Sequence, residues 1–504
     1  MVLFSFGSAG NIIVLYYFYF LTSSTFAAEA DQASGPLLLT PLLEKGDAEQ
    51  ARQLSQVQGN IIAKPTLSYS AFITVDKEAD YHMHFWYFPS PSEQEAPLML
   101  WLNGGPTVSS MMGVFWLHGP FKPEKVGLYD FGKIIPRNET WVGPFSAVYV
   151  DIIGRGFSSS HDFQQSNRYK QEVYTKDLYN FVQQFLLLFP EFRTRGVYIA
   201  GQSYAGHFVP ALAYALHKGI SEGDLDMVLK GVILGGPLYY PQVQDAALFD
   251  YLYNLGAISL AEKKAAHERV EQLHLEAANS NNELNITFAE VYDRVLKPGY
   301  DSMMDNYVSE RLRPFNLVQT MVNSVREHLH VGDVPFHIFG PSQYDHFGPD
   351  YFVSTHKEMA ELMDNYNVLI YNGDQDLIVS SASVEAAVLA TPWKFQDEYQ
   401  KANRSIWGFP CIEGFYTRLD RFCRVIVHRS GHQVPNDQPK SSRVMVEHFL
   451  KYGCLTEPFQ EHSTHCFWPV PDETSRGAST LHYMHIALKC IVLSFYFVVS
   501  AFVL

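Results

Sequence analysis

The chain has 504 residues, of which 53 are acidic and 37 basic, so its formal net charge is −16. A hydrophobic fraction of 47% with 18% charged residues describes a chain that can bury a sizeable core, which excludes an intrinsically disordered protein. The acidic excess, without a block of Lys or Arg, would repel a phosphate backbone. We therefore expect a globular protein with no nucleic-acid partner.

Residues 1–27 have the features of a secretory signal peptide. An almost wholly apolar run at 11–21 is followed by Thr25-Phe26-Ala27, which is suited to cleavage after Ala27. No Lys or Arg precedes the apolar run, so a buried hydrophobic N-terminal helix is the alternative. After cleavage, residues 28–67 would form an N-terminal segment ahead of the main domain.

Residues 478–504 form a hydrophobic tail that follows a C-terminal extension at 454–477. The apolar run at 490–504 would span about 22 Å as a helix, which is short of a bilayer core of about 30 Å. Small residues at 477–479 and a ten-residue spacer at 480–489 precede the run, which is the arrangement of a glycolipid-anchor signal. We predict membrane attachment through this tail, with a short membrane span or a tail without function as the alternatives.

The five cysteines all lie at or after residue 411. When Cys490 is set aside with the tail, the other four allow three pairings in an oxidising compartment. We predict sequential pairing, Cys411 with Cys423 and Cys454 with Cys466, because each pair would close a short local loop. No C-x-x-C spacing is present, so we expect no metal site.

Three N-x-S/T sequons, at Asn138, Asn285 and Asn403, are candidate N-glycosylation sites. Each such triplet occurs often by chance, so their weight comes from agreement with the signal peptide. Together they predict a glycoprotein of the secretory pathway.

Short apolar runs alternate with helical patterns along most of the chain, which is typical of an α/β protein with a mostly parallel central sheet. Between about 241 and 341 the strand signals disappear and charged helical segments such as 259–275 replace them, which predicts an inserted helical cap within a domain at 68–453. The predicted buried strands are 97–102, 147–152, 197–200, 229–234, 368–371 and 424–428.

The segment Gly201-Gln202-Ser203-Tyr204-Ala205-Gly206 joins the strand at 197–200 to a helical run at 209–217. A serine at a tight strand-to-helix turn projects its hydroxyl above the sheet, where the next amide and the helix dipole can stabilise an oxyanion. The segment departs from G-x-S-x-G because an alanine fills the last glycine position. An ordinary glycine-serine turn is the alternative interpretation.

Two further strand ends carry titratable side chains. Asp374 and Asp376 follow the strand at 368–371, and His432 follows the strand at 424–428. Open parallel sheets assemble their sites at the carboxyl ends of strands, and the chain order Ser, Asp, His is that of the α/β-hydrolase triad. In such a triad the histidine takes the serine proton and the carboxylate orients the imidazole. The sequence therefore predicts an α/β-hydrolase fold.

Four segments resemble the motifs of the serine carboxypeptidases, the cathepsin A and vitellogenic carboxypeptidase group. They are WLNGGP at 101–106, GQSYAGHFVP at 201–210, YNGDQDLIV at 371–379 and GHQVPNDQP at 431–439. Their order and spacing match the family from about 68 to 453. The resemblance implies an enzyme without cofactor or metal that cleaves C-terminal residues from peptides through an acyl-enzyme.

The resemblance also assigns the triad. It implies that Ser203 is the nucleophile, His432 the base, and Asp376 rather than Asp374 the orienting acid. Asp374 and Asp437 would then support the turn and loop.

Further roles in binding follow from the same resemblance. The backbone amides of Gly105 and Tyr204 are the implied oxyanion hole. Asn103 and Gly104 are the implied binding residues for the terminal carboxylate of the substrate, together with Gln202.

Four residues depart from the family pattern. The family expects Asn-Gly-Gly-Pro-Gly-Cys, whereas this chain has Thr107 and Val108 at the last two positions and so lacks a glycine and a disulfide partner. The family also expects two glutamates that share a proton and grip the carboxylate, where this chain has Gln202 and Leu117. Gln202 can still donate an N–H, but Leu117 cannot hydrogen-bond.

We therefore predict a serine carboxypeptidase-like hydrolase with an altered leaving-group preference, acting on peptides in an extracellular, lysosomal or surface-anchored location. One alternative is a catalytically degenerate binding or scaffold protein of the same fold, because fold does not fix function. The other is an esterase or acyltransferase that uses the same triad. The sequence does not indicate an oligomeric state.

Overall fold

The computed structural model describes residues 35–59, 61, 66–125, 131–152, 155–158, 168–280, 314–339, 347–408 and 411–456. The chain divides into a main unit, Met1–Ser405 with Gly414–Thr456, and a second unit, Ile406–Glu413 with Glu457–Leu504. The predicted signal peptide, the apolar tail and Asn285 lie outside the described residues. No helix in the described ranges is long and apolar enough to cross a membrane.

A large β-sheet forms the centre of the main unit, and its strand order there is β1-β2-β6-β3-β7-β8-β9-β12-β11. A separate hairpin pairs β4 with β5, and the short strand β10 belongs mostly to the second unit. The strands in chain order are β1 Tyr69–Asp76, β2 Tyr81–Phe88, β3 Leu98–Leu102, β4 Phe121–Lys125, β5 Phe131–Pro136, β6 Ser146–Val150, β7 Val197–Gln202, β8 Leu229–Gly235, β9 Asn367–Gly373, β10 Ser405–Trp407, β11 Gly414–Leu419 and β12 Phe422–Val427.

The central strands of the sheet run parallel, in the order β6-β3-β7-β8-β9-β12. All six predicted strands correspond to these parallel strands, which confirms the predicted α/β fold. The flanking pairs β1-β2, β2-β6 and β11-β12 are antiparallel, and the sequence analysis missed β1, β2 and β11. The missed strands mix polar with apolar residues, whereas a parallel strand buried on both faces reads as a continuous apolar run.

Helices cover the sheet, and aromatic contacts fix their packing. Tyr174 on α3 meets Phe208 on α5 edge to face at 4.9 Å between ring centres. The helices are α1 Thr40–Glu44, α2 Ala48–Ser55, α3 Gln171–Leu188, α4 Phe192–Arg195, α5 Ala205–Glu222, α6 Pro241–Asn254, α7 Leu260–Asn279, α8 Pro314–Val325, α9 Gly348–Tyr351, α10 His356–Asn365, α11 Ser381–Ala390, α12 Gln396–Lys401, α13 Val434–Asp437 and α14 Pro439–Tyr452, with a π-helix at Gly113–Leu117 and a 3₁₀-helix at Arg326–His328.

The described part of the predicted cap, 241–280 and 314–339, contains α6, α7 and α8. Helix α7 begins with a capping box, because the Ser259 side chain accepts from the amide of Glu262 and the Glu262 carboxylate accepts from the amide of Ser259. On α6 the Asp245 carboxylate bonds His274 of α7 at 2.7 Å. This contact fixes α7 against the helix that lines the cavity described below.

The disulfide pattern differs from the predicted sequential pairing. Cys423 on β12 pairs with Cys454, which follows α14, so the predicted Cys411–Cys423 and Cys454–Cys466 pairs are wrong. The tight β11–β12 hairpin places Cys423 opposite Arg418, and α14 returns the chain to β12. Cys411 also takes part in a disulfide, and Cys466 lies outside the described residues.

Replacing both Cys423 and Cys454 with alanine should lower the free energy of unfolding by about 2–4 kcal/mol, because the disulfide restricts the unfolded chain. Denaturant unfolding of the parent and the double variant measures the difference. Mass spectrometry of a non-reduced digest should recover a peptide pair linked through Cys423 and Cys454. A pair linked through Cys411 and Cys423 would contradict the structure.

Candidate active site

Ser203 lies between β7 and α5 with a φ of 64°, in the left-handed region that non-glycine residues rarely adopt. Gly201 leaves room for the side chain of Ala205, since a Cβ on Gly201 would lie 2.6 Å from that of Ala205. Gly206 packs directly on the backbone of Leu238, where a Cβ would lie 2.3 Å from the carbonyl oxygen. The last glycine of G-x-S-x-G would fall at position 205, which is alanine here. The close backbone contact is instead made by Gly206, one residue later.

His432 and Asp376 meet at the carboxyl ends of two neighbouring parallel strands, β12 and β9. His432 Nδ1 lies 2.7 Å from Asp376 Oδ2, and both side chains are buried. The other oxygen, Asp376 Oδ1, accepts from the backbone amides of Ile378 at 2.9 Å and Val379 at 3.0 Å. These contacts leave Asp376 one orientation, which holds the imidazole of His432 in place.

Asp374 and Asp437 support the loop that carries His432. Asp374 Oδ1 accepts from the amide of Ser430 at 3.3 Å, and Asp437 Oδ2 accepts from the amide of Gly431 at 2.9 Å. The structure therefore brings Asp376, and not Asp374, to the histidine.

Gly236 packs over the histidine–aspartate pair with a φ of 47°. A Cβ at this position would lie 3.0 Å from Asp376 Oδ2 and 3.4 Å from His432 Nδ1. A larger residue would therefore both strain the backbone and crowd the pair.

Ser203 and His432 line one cavity of about 290 Å³, and Asp376 lies behind His432. The hydrogen bonds of the described residues include none between the Ser203 hydroxyl and His432. Such contacts commonly shorten when a substrate binds. Seven other residues that the sequence analysis singled out also line the cavity, namely Asn103, Gly104, Gly105, Val108, Leu117, Gln202 and Tyr204.

The loop after β3 approaches the serine turn because it carries two glycines. A Cβ on Gly104 would lie 2.7 Å from the amide nitrogen of Tyr204 and 2.9 Å from Ser203 Cβ. Gly105 has a φ of 121°, and a Cβ there would lie 2.5 Å from the amide nitrogen of Val108. The backbone segments of the two predicted oxyanion donors, Gly105 and Tyr204, are therefore adjacent.

Arg155 holds this loop from behind, and the sequence analysis missed it. Its guanidinium is fully buried, and Nη1 donates to the carbonyl of Gly104 at 2.9 Å and to the carbonyl of Pro106. Burial lowers the pKa of Arg155 to about 10, against the opposing attraction of Asp151. Its place just beyond the carboxyl end of the buried strand β6 is the available sequence signal, but a surface arginine can occupy such a place equally well.

The substitutions at Thr107 and Val108 do not strain the loop, because neither is among the described non-glycine residues with positive φ. The next two residues tie the loop to Asp151, whose Oδ1 accepts from the Ser109 hydroxyl at 2.8 Å and the Ser110 amide at 2.7 Å. Hydrogen bonds to Asp151 thus hold the segment that, in the family pattern, contains a disulfide-forming cysteine.

Leu117 reaches the cavity from the end of the π-helix, a conformation often found at functional sites. The buried Arg137 donates to the carbonyls of Phe115 at 3.1 Å and Trp116 at 3.0 Å. The indole of Trp116 donates to Gln433 Oε1 at 2.6 Å, next to His432. The π-helix therefore fixes both Leu117 and the histidine loop.

Gln202 bonds the histidine loop. Its Nε2 donates to the backbone carbonyl of His432 at 2.8 Å. Its Oε1 is buried and has no hydrogen-bond partner among the described residues. The residue is 5% exposed and lines the cavity, but Oε1 itself has almost no accessible surface.

The remaining predicted sites are at the surface or absent from the described residues. Asn138 and Asn403 are both exposed, as a glycosylated asparagine must be. Within the described ranges, no group of three or more His, Cys, Asp or Glu side chains is arranged to hold a metal ion.

Asp350 lies beneath the serine turn. Its Oδ2 accepts from the hydroxyl of Tyr204 at 2.8 Å, and burial raises the pKa of Asp350 to about 7. The ring of Tyr204 stacks on His207 at 4.4 Å. The residue after the nucleophile is therefore held by a carboxyl group that ionises near neutral pH.

The ionisation of Asp350 should reduce stability as the pH rises. Its pKa is higher in the folded state than the unfolded value of about 3.9, so the folded state binds the extra proton and the free energy of unfolding falls between about pH 4 and pH 7. Urea unfolding of Asp350→Asn should show a smaller fall over that range than the parent. Asp333→Asn, at an exposed aspartate, is the matched control. An unchanged pH dependence in Asp350→Asn would contradict the assignment.

Comparison with protein families matches residues 62–452 to the serine carboxypeptidase family. The human probable serine carboxypeptidase CPVL is 31% identical over 452 residues, covering 84% of this chain and 91% of that protein. The vitellogenic carboxypeptidase of Aedes aegypti is 30% identical over 449 residues, covering 84% of this chain and 92% of that protein.

Among solved structures, Kex1(delta)p, a prohormone-processing carboxypeptidase from Saccharomyces cerevisiae, superposes with a TM-score of 0.67. It is 20% identical and covers 79% of this chain and 96% of that chain, so this comparison shows a shared fold. The sheet order agrees with the α/β-hydrolase fold predicted from the sequence. The extent of the family match shows that the chain belongs to the serine carboxypeptidase family.

Proposed function

We propose that this chain is a serine carboxypeptidase-like hydrolase of the secretory pathway, which removes C-terminal residues from peptides through an acyl-enzyme on Ser203. The observation that carries the proposal is the buried 2.7 Å contact between His432 Nδ1 and Asp376 Oδ2 beside the left-handed Ser203. Membership of the serine carboxypeptidase family supports a carboxypeptidase-type reaction and peptide substrates.

The geometry supports a division of roles within the triad. Nδ1–H of His432 donates a hydrogen bond to Asp376, which leaves Nε2 to take the proton of the Ser203 hydroxyl. The serine oxygen attacks the last peptide carbonyl, and the amides of Gly105 and Tyr204 stabilise the resulting oxyanion. His432 then protonates the leaving amine, and water releases the acyl group from Ser203.

The proposed location follows from the sequence signals. A signal peptide at 1–27, disulfides and the two exposed sequons at Asn138 and Asn403 agree with an oxidising, glycosylating compartment. The mature protein would then be extracellular, lysosomal or attached to the outer cell surface through the 478–504 tail.

Replacing Ser203 or His432 with alanine should remove nearly all peptide hydrolysis, and Asp376→Asn should lower kcat by roughly 10⁴-fold because the imidazole takes the wrong tautomer. Asp374→Asn, in the same loop, is the matched control and should lose far less. Thermal unfolding should show that all four variants fold. If Ser203→Ala hydrolysed peptides as fast as the parent, the proposed mechanism would be wrong.

Arg155→Met should lower kcat by roughly ten- to hundredfold with a smaller change in KM, because a misplaced oxyanion loop weakens binding of the transition state more than binding of the substrate. Arg155→Lys keeps the charge, but its ammonium sits on a side chain of different length and shape and does not reproduce the two bonds that Nη1 makes, so it should restore only part of kcat. Arg168→Met removes another fully buried arginine, which pairs with Asp177, and serves as the control for stability. Equal kcat values for Arg155→Met and the parent would exclude this role.

A further inference from the structure

A buried histidine and a buried aspartate face each other behind the loop after β3. His84 lies on β2 and Asp151 follows β6, and both side chains are 0% exposed. His84 Nδ1 lies 4.0 Å from Asp151 Oδ2. Neither atom has a hydrogen-bond partner among the described residues. The proposed triad includes neither residue.

The hydrogen bonds of Ser70 fix the tautomer of His84. The Ser70 hydroxyl oxygen lies 2.8 Å from the carbonyl oxygen of Leu329 and 2.9 Å from His84 Nε2. A carbonyl can only accept, so the single hydroxyl hydrogen points to Leu329. Nε2 of His84 must then donate to the Ser70 oxygen. A neutral His84 therefore has a lone pair at Nδ1, the atom next to Asp151.

The loop after β3 already occupies the other oxygen of Asp151. Oδ1 accepts from the Ser109 hydroxyl and the Ser110 amide. The Ser110 hydroxyl oxygen in turn accepts from the amide of Asn103 at 3.1 Å. Oδ2 lies so close to Gly156 that a Cβ there would overlap it, so the carboxyl group has little room to rotate. A proton on Asp151 would therefore sit on Oδ2, next to the imidazole lone pair.

Burial favours a proton on the aspartate over one on the imidazole. It raises the pKa of Asp151 to about 6, against the opposing effects of the loop hydrogen bonds and of the Arg155 charge. Burial, together with the nearby His330, lowers the pKa of His84 to about 3. The protonated pair is therefore a neutral imidazole beside a neutral carboxyl group.

Other ionisable groups surround the pair. The attraction of Arg155 for the carboxylate keeps the pKa of Asp151 from rising further. His330 donates from Nδ1 to the carbonyl of Ser70 at 2.9 Å. Also nearby are Arg326, whose guanidinium lies 6.0 Å above the ring of Phe157, and His337, whose backbone pairs with that of Gly156. In the described ranges, none of these four makes a side-chain hydrogen bond or ion pair with the two facing atoms.

We propose that Asp151 carries a proton on Oδ2, directed at His84 Nδ1, and that this proton holds the loop after β3 in its active position. Ionised Asp151 would instead place a negative oxygen against a lone pair in a buried space. Closing the gap by about 1 Å would bring the protonated Oδ2 within hydrogen-bond distance of Nδ1. Because Asp151 also binds Ser109 and Ser110, a displaced carboxylate would shift the loop that carries Gly105.

Asp151 and His84 are thus positioning residues, and this inference rests on the proposed function because Gly105 is a proposed oxyanion donor. The folded protein keeps the proton below about pH 6 and loses it as the pH rises through that value. We expect kcat at saturating peptide to fall by roughly tenfold between about pH 5 and pH 7.5, because the oxyanion donor is displaced.

Asp151→Asn tests the proton. Its amide nitrogen can replace the protonated Oδ2 and donate to His84 at every pH, while its oxygen still accepts from the loop. The fall in kcat above pH 6 should therefore disappear. Asp350→Asn removes another buried carboxyl group that ionises near neutral pH, and its kcat should still fall because Asp151 remains. An equal fall in Asp151→Asn and the parent would overturn the inference.

Ser70→Ala tests the tautomer without changing either partner. Once the hydroxyl is removed, the His84 hydrogen can move from Nε2 to Nδ1 and donate to ionised Asp151. The fall in kcat above pH 6 should again disappear. Ser68→Ala is the matched control, because Ser68 is also buried and its hydroxyl has no partner among the described residues, so the fall should remain. A fall of parental size in Ser70→Ala would contradict the assigned tautomer.

Infrared spectroscopy detects the proton without turnover, because a protonated carboxyl group absorbs apart from carboxylates. The parent should show a carboxyl band at about pH 5 that disappears near pH 6. Asp151→Asn should lack this band, and in Ser70→Ala it should disappear at a lower pH. A separate band from Asp350 should remain in all three proteins.

The infrared and kinetic results fail independently. A parent that hydrolyses peptides but lacks the Asp151 band would overturn the inference and leave the triad proposal intact. The band with its expected pH dependence, in a protein without turnover, would support the buried proton and contradict the proposed reaction. If Asp151→Asn does not fold, the band in the parent and its shift in Ser70→Ala decide the question.

Discussion

The left-handed backbone of Ser203 is the constraint on which the site depends. A serine with a φ of 64° must be held by its surroundings, because that conformation costs free energy on its own. Gly104 and Gly206 supply the close contacts, the first against the turn itself and the second against Leu238. Any side chain at either glycine would collide with backbone atoms. The position of Ser203 therefore depends on the two glycines, which let the backbone approach closely, as much as on the strand and helix on either side.

The parallel sheet brings the other two triad residues to the same edge as Ser203. Strands β7, β8, β9 and β12 are consecutive neighbours, so the residues after three of them meet at one edge. Asp376 is fixed by two backbone amides and in turn fixes His432. Arg155 and Asp151 hold the loop opposite Ser203 through hydrogen bonds, in a segment where Thr107 and Val108 replace the glycine and cysteine of the family pattern.

Most of the central sheet could be predicted because strands buried on both faces show as continuous apolar runs. The serine turn and the loops of Asp376 and His432 could also be predicted, since each follows such an apolar run. The disulfide could not be predicted, because the return of α14 to β12, which brings Cys454 to Cys423, depends on tertiary packing. Arg155 was missed because no local pattern distinguishes an arginine that binds loop carbonyls from one at the surface.

The central claim is that His432 and Asp376 activate Ser203. A fluorophosphonate reacts with an activated serine, and mass spectrometry of the labelled protein locates the adduct. We predict one adduct, on the peptide that contains Ser203, and its loss in His432→Ala. A folded protein that takes no label, or that carries the label on another serine, would contradict the account.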